Sequence, residues 1–151
     1  MRTILKKLRG AGLVEVDPAG VRLTGSGRRA YESVLKTLTP PLALLGSNLT
    51  VGKVQAAVMV RSSSGAVSNG IQQRDASIKS GADGATTYSF REDRFSIPGG
   101  SSDCERDFPS GTWEVLREQL KPRNGDVIII CGARDQTTAK IGALSAALTL
   151  A

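Results

Sequence analysis

The 151-residue sequence predicts an α+β protein in two parts. Three observations carry this. Basic charge is concentrated at the start of the chain. Short β-prone runs bounded by Gly, Pro and Asp alternate with stretches of helical periodicity. Composition then changes near residue 50, from a basic helix–hairpin–helix segment to apolar strand runs joined by Ser/Gly-rich loops. The predicted organisation is a first segment over residues 1–39, a linker over 40–53 and an α/β domain over 54–151.

In the first segment, Ile4, Leu5, Leu8 and Ala11 share one helical face, while Arg2, Thr3 and Lys6 lie opposite, flanked by Lys7 and Arg9. Gly12 suits the left-handed residue that ends a helix. Leu13–Val16 and Val21–Thr24 are β-prone runs joined by Asp17-Pro18-Ala19-Gly20, which predicts a hairpin. Thr24 or Ser26 can cap a second helix running through Ala30, Tyr31, Val34, Leu35 and Leu38. Thr39-Pro40-Pro41 stops it, since neither proline donates to a helix. Residues 40–53 are partly apolar, so the predicted linker packs rather than dangles.

Val54–Val60 follows as a buried strand, Arg61–Asn69 as a loop, and Gly70 to about Ser80 as a helix stopped by Gly81. Ala85–Phe90 and Arg94–Ile97 flank the turn Arg91-Glu92-Asp93 and predict a second hairpin. Pro98–Gly111 is a polar loop, and Thr112–Leu120 an amphipathic helix with Trp113, Leu116 and Leu120 on one side. Asp126–Cys131 is the most apolar strand. A last helix from about Asp135 to Leu150 carries Ala139, Gly142, Ala143, Ala146 and Ala147, which permit close packing. The order β-α-β-β-α-β-α resembles a two-layer ferredoxin-like sandwich with an added C-terminal helix. The competing arrangement is a mixed sheet with Val127–Cys131 at its centre, covered on both faces.

Composition bounds the function. A hydrophobic share of 40% and a charged share of 23% are globular values. No run of about 18 apolar residues spans a membrane, and no apolar segment follows the basic start to form a signal peptide. The sequence therefore predicts a soluble cytoplasmic protein. Two cysteines make neither a disulfide framework nor a metal signature, and the absence of histidine excludes Ser-His, Cys-His and histidine-metal chemistry. The net charge of +6 is uneven: residues 1–37 hold eight basic and three acidic side chains, so five of the six charges lie there. Such asymmetry points to a polyanion-binding segment joined to a near-neutral domain, against the plainer account of a solvated basic face.

A helix in the major groove needs short polar and basic side chains outward, with Lys and Arg around its rim for phosphates. Arg2, Thr3 and Lys6 fit the first role; Lys7, Arg9, Arg22, Arg28 and Arg29 fit the second. Leu8, Gly12-Leu13-Val14, Leu23-Thr24 and Gly27 resemble the winged-helix pattern in which a recognition helix ends in "GLV" and the returning wing strand reads "LT". That resemblance implies double-stranded DNA as partner. The two helices normally packed beneath a recognition helix are missing from the segment. A start set too late, a partner chain supplying the surface and a degenerate remnant compete to account for this, and the first is preferred.

From Val54 onward the chain resembles the C-terminal domain, of unknown function, of a family of archaeal winged-helix proteins. The likeness rests on Gly70-Ile71-Gln72-Gln73-Arg74-Asp75, Lys79 and Gly81-Ala82-Asp83-Gly84-Ala85. The resemblance implies a transcription regulator without naming a ligand. Physically, a Ser/Gly loop entering a helix exposes amides that favour anions, with Gln72, Gln73 and Arg74 as added donors. Local ion pairing of Arg74 with Asp75 is the competing account. Arg134 and Asp135, with Thr137 and Thr138, follow the most buried strand, where ligands favour the crevice beyond strand ends; a plain helix cap by Asp135 competes. Asp103, Glu105 and Asp107 alternate in a loop and can offer oxygen ligands to a hard cation, although a solvated acidic loop is the commoner outcome of such spacing. Cys131 lacks any histidine to activate it.

The sequence thus predicts a DNA-binding regulator with an effector or dimerisation domain, its ligand small and anionic, with no cofactor or metal and with a second copy of the chain as a possible partner. The alternative is an α/β enzyme or phosphometabolite-binding protein with its site near Gly70–Asp75. Walker and dinucleotide spacings are absent.

Overall fold

Seven residue pairs, from Val54↔Ala133 to Val60↔Val127, join two strongly apolar strands, and the larger part of the molecule is built around them. The computed structural model describes residues 2–151. It divides into two units, Met1–Thr37 and Leu38–Ala151.

The first unit is a helix α1 (Arg2–Gly10), a hairpin of β1 (Val14–Asp17) and β2 (Gly20–Leu23), and a helix α2 (Gly25–Thr37). Gly12 takes the left-handed conformation that ends α1, and the Leu13 amide donates back to the Leu8 carbonyl at 2.9 Å. Asp17 holds the hairpin turn by accepting from the Ala19 amide at 2.8 Å. Thr24, rather than Ser26, caps α2: its hydroxyl accepts from the Gly27 amide at 2.9 Å and donates to the Gly12 carbonyl at 2.6 Å. A side chain at Gly27 has no room, because a Cβ there would lie 1.9 Å from the Leu13 carbonyl oxygen.

The second unit contains β3 (Leu42–Leu44), β4 (Val54–Val60), α3 (Ile71–Lys79), β5 (Gly84–Arg91), β6 (Arg94–Ser96), α4 (Cys104–Asp107), α5 (Thr112–Leu120), β7 (Val127–Ala133) and α6 (Gln136–Ala147). The sheet order is β3-β4-β7-β5-β6, with every neighbouring pair antiparallel. On one face, Ala56, Val58, Val60, Val127, Ile129 and Cys131 pack with Ala139, Ala143, Ala146 and Ala147 of α6. On the other, Ala57, Met59, Tyr88, Phe90, Ile128 and Ile130 pack with Cys104, Trp113, Leu116 and Leu120, and with Leu44 and Leu49. Each strand residue chooses a face by its parity, so apolar runs without alternation serve two cores at once.

The α+β class holds, but the ferredoxin-like order does not. In that order the third strand lies between the first two; here β7 occupies the place between β4 and β5. The physical reason is burial. All seven residues of β7 are buried, so it belongs where both flanks and both faces are covered. β6 has only three residues, Arg-Phe-Ser, and stays at the edge. The unit is therefore three-layered rather than two-layered, and its sheet is antiparallel rather than mixed. The segment expected as a linker also differs: Leu42–Leu44 pairs with β4, and Leu44 and Leu49 enter the core. A short helix, α4, stands within the loop expected over Pro98–Gly111, capped by Asp103 accepting from the Arg106 amide at 3.2 Å.

Candidate functional site

In the first unit, Arg2, Thr3, Lys6, Lys7, Arg9, Arg22, Arg28 and Arg29 are all exposed. The helical wheel gathers Arg2, Thr3, Lys6, Lys7 and Arg9 on one arc of α1, while Leu5 and Leu8 are half-buried on the other. Arg22 is ion-paired to Asp17 across the hairpin, and Arg29 donates to the Ser26 hydroxyl at 3.1 Å. Among the described residues the basic side chains other than Arg22 in this unit have no carboxylate partner. Cations without internal ion pairs are free to meet an anion without first breaking one.

The second unit holds a cleft of about 770 Å³. One wall is a strap, Asn48–Val51, crossing the end of the sheet. Glycines make that crossing possible: Gly132 lies directly under the Val51 carbonyl, and Gly84 faces the Val51 side chain. The strap is pegged by polar contacts. Tyr88 donates its hydroxyl to the Leu49 carbonyl, Thr86 bonds the Thr50 hydroxyl at 3.0 Å, and the buried Gln55 amide donates to the Thr50 carbonyl at 2.6 Å. Burial holds the Tyr88 phenol well above its ordinary titration range, so it stays a neutral donor. The opposite walls bring one cation, Arg74, one carboxylate, Asp83, and the apolar surfaces of Ile97, Phe108 and Pro109. Apolar walls with a few convergent polar groups suit a small amphipathic molecule.

The residues expected around this site are only partly gathered. Arg74 lines the cleft and also reaches Asp75 at 3.2 Å. Gln72 and Asp75 face a separate shallow groove with Lys79 and Thr149. Gln73 is buried, its amide donating to Thr149 at 2.7 Å, and so ties α3 to the end of the chain. Gly70 is the left-handed residue before α3, and Asn69 accepts from the Ile71 amide at 3.1 Å, which fills part of the helix start expected to receive an anion. Asp135 is a cap: it accepts from the Thr138 amide at 2.9 Å and from the Thr138 hydroxyl at 2.7 Å. Those contacts from Thr138 hold its carboxyl below the usual range. Arg134 is exposed and lines no part of the cleft.

The three loop acids have local partners instead of converging. Asp103 caps α4, Glu105 pairs with Arg117 at 2.7 Å, and Asp107 takes hydrogen bonds from Ser101 and Arg106. Cys131 and Cys104 are buried; burial pushes the Cys131 thiol up to about 11 and raises Cys104 as well. Neither is a nucleophile in this state.

Sequence reasoning missed the strap, together with Thr86 and Tyr88, and held Asp83 only as part of the Gly81–Ala85 block. The available signal was the pairing of Gly52, Gly84 and Gly132, three glycines within strand-like or linker-like runs, which mark close backbone approach.

Residues 51–150 match the family model described as "Domain of unknown function (DUF4443)". Among solved structures, "Hypothetical protein PH0730 from Pyrococcus horikoshii OT3" superposes with a TM-score of 0.74 at 23% identity, over 99% of this chain and 74% of that one. The likeness is one of fold. No match was found among curated proteins.

Proposed function

We propose a regulatory role for this chain, which belongs to the DUF4443 family: a DNA-binding protein whose first unit contacts the duplex and whose second unit holds an effector in its cleft. The observation that supports the reading is the basic surface of the first unit, which carries eight exposed cations against three acidic residues, with Arg22 alone ion-paired among the described residues. In this reading α1 is the recognition helix of a winged-helix module and β1–β2 its wing. Arg2, Thr3 and Lys6 address the groove, and Lys7, Arg9, Arg22, Arg28 and Arg29 the phosphates on its rim. The effector is a small amphipathic molecule with an anionic group directed to Arg74. An enzyme is the weaker reading, because the cleft pairs no nucleophile with a base.

Retention of a labelled duplex across a salt series tests this. Binding through phosphates gives a log K that falls linearly with log salt, by about 0.9 for each phosphate neutralised. A chain that retains no duplex at low salt removes the reading.

A further inference from the structure

We propose that Arg61, Lys121 and Arg123 form a phosphate-binding pocket in the second unit, separate from the Arg74 cleft. They line a cavity of about 480 Å³ at the sheet end where β4 finishes and β7 begins, walled by Thr39–Leu42 and the last turn of α5.

Charge is the first observation. Among the described residues, three cations and no carboxylate line this cavity; Asp126, the acid that pairs with Arg61, lies outside the lining with its side chain 3% exposed and fully committed. Its Oδ1 accepts from the Ser62 amide at 2.9 Å; its Oδ2 accepts from the Arg123 amide at 2.9 Å and from Arg61 at 3.4 Å. Asp126 therefore fixes the two loops that carry the cations but leaves most of their charge uncompensated. Among the described residues the other N–H donors of the Arg61 guanidinium have no partner, and its side chain, which lines the cavity, is 39% exposed. Lys121 and Arg123 have no carboxylate partner among the described residues.

Geometry is the second. Lys121 closes α5 in the left-handed conformation, with φ 49°, where glycine is the unstrained choice. Ser62, in the facing loop, is left-handed as well, with φ 51°. A lysine held in that strained turn lines the same cavity as Arg61 and Arg123. Thr39 adds a hydroxyl: its oxygen accepts from the Met59 amide at 2.9 Å, so its proton remains available to a ligand. Fork-shaped donors with a point charge and a hydroxyl match the oxygens of a phosphate group. A duplex backbone and a free phosphorylated molecule present the same group, and the pocket's chemistry stands whether or not the first unit binds DNA.

The test uses the whole chain and the double variant Lys121→Gly/Arg123→Gln. Glycine keeps the left-handed turn, and Arg61 is untouched because it pairs with Asp126. Thermal melting with millimolar pyrophosphate at matched ionic strength should raise the wild-type Tm and leave the variant unmoved. A duplex salt series then separates the sources. A slope reduced by about two in the variant assigns the pocket to backbone phosphates, whereas an unchanged slope with a lost pyrophosphate shift assigns it to a free phosphorylated ligand. A wild-type chain that binds no duplex but gains Tm with pyrophosphate sinks the DNA reading alone. No wild-type shift together with an unchanged slope or with no duplex binding at all, or a shift that survives in the variant, overturns the pocket.

Discussion

The Val51 carbonyl lies over Gly132 so closely that a Cβ on that glycine would sit 1.5 Å from its oxygen. No rotamer can relieve a clash between backbone atoms, so Gly132→Ala must push the strap off the sheet end. The Tyr88–Leu49 and Thr86–Thr50 hydrogen bonds go with it. The expected cost is about 3 kcal/mol or more, the upper range for overpacking, read by urea denaturation. Gly65→Ala is the control: its Cβ would meet nothing within 4 Å, and its stability should stay within about 0.5 kcal/mol of the parent.

Arg117 clamps the rim of three elements whose inner faces already meet in one aromatic core. Its guanidinium reaches Glu105 at 2.7 and 2.9 Å and Asp93 at 2.8 Å, and it lies 5.3 Å from the centres of both Phe90 and Phe95. Arg117→Ala removes a bidentate pair and two aromatic contacts, for a loss of about 2 kcal/mol after allowing for its partial exposure. Lysine restores the charge but not the fork, so Arg117→Lys should recover less than half of that loss. Chemical denaturation of the two variants side by side checks both values.

A continuous apolar run places Val54–Val60, and helical periodicity places Thr112–Leu120, at the ends the structure gives them, because burial leaves a local mark in each. Strand order leaves no such mark. That β7 lies between β4 and β5 depends on which strand can be covered on every side, a comparison among distant segments. β3 is too short to show alternation and lies behind two prolines, so it resembles a linker until its partner is known. The candidate cleft divides in the same way. Arg74 stands out within its sequence block, while Asn48–Val51 becomes a wall only because glycines some 30 and 80 residues away let it cross the sheet.

Three buried acids make alkaline pH the weak side of the second unit. Burial raises Cys131 from 9.0 to about 11 and raises Cys104 and Tyr88 too. A group whose folded pKa lies above its unfolded value contributes its full stability below the unfolded pKa and loses it as pH rises toward the folded one. Stability should therefore fall from about pH 9 upward. The same burial predicts that a thiol reagent such as dithionitrobenzoate finds no reactive cysteine in the native chain at pH 8 and finds both after unfolding. Rapid labelling of the native chain would contradict the burial of Cys104 and Cys131.

Direct use of α1 in DNA binding makes a prediction that a generally basic protein does not. Lys6 and Arg9 are exposed on the polar arc of α1, and neither has a carboxylate partner among the described residues. Arg22 is equally exposed but already compensated by Asp17. If duplex affinity depended only on net charge, Lys6→Ala, Arg9→Ala and Arg22→Ala would weaken it alike. If contacts are made residue by residue, Lys6→Ala and Arg9→Ala should each reduce the salt slope by about 1. Arg22→Ala should reduce it less, because it frees Asp17 while removing a cation whose field was partly cancelled. Salt-dependent fluorescence anisotropy with a single duplex separates the two patterns. Equal losses in all three variants would set aside a docked helix in favour of diffuse attraction.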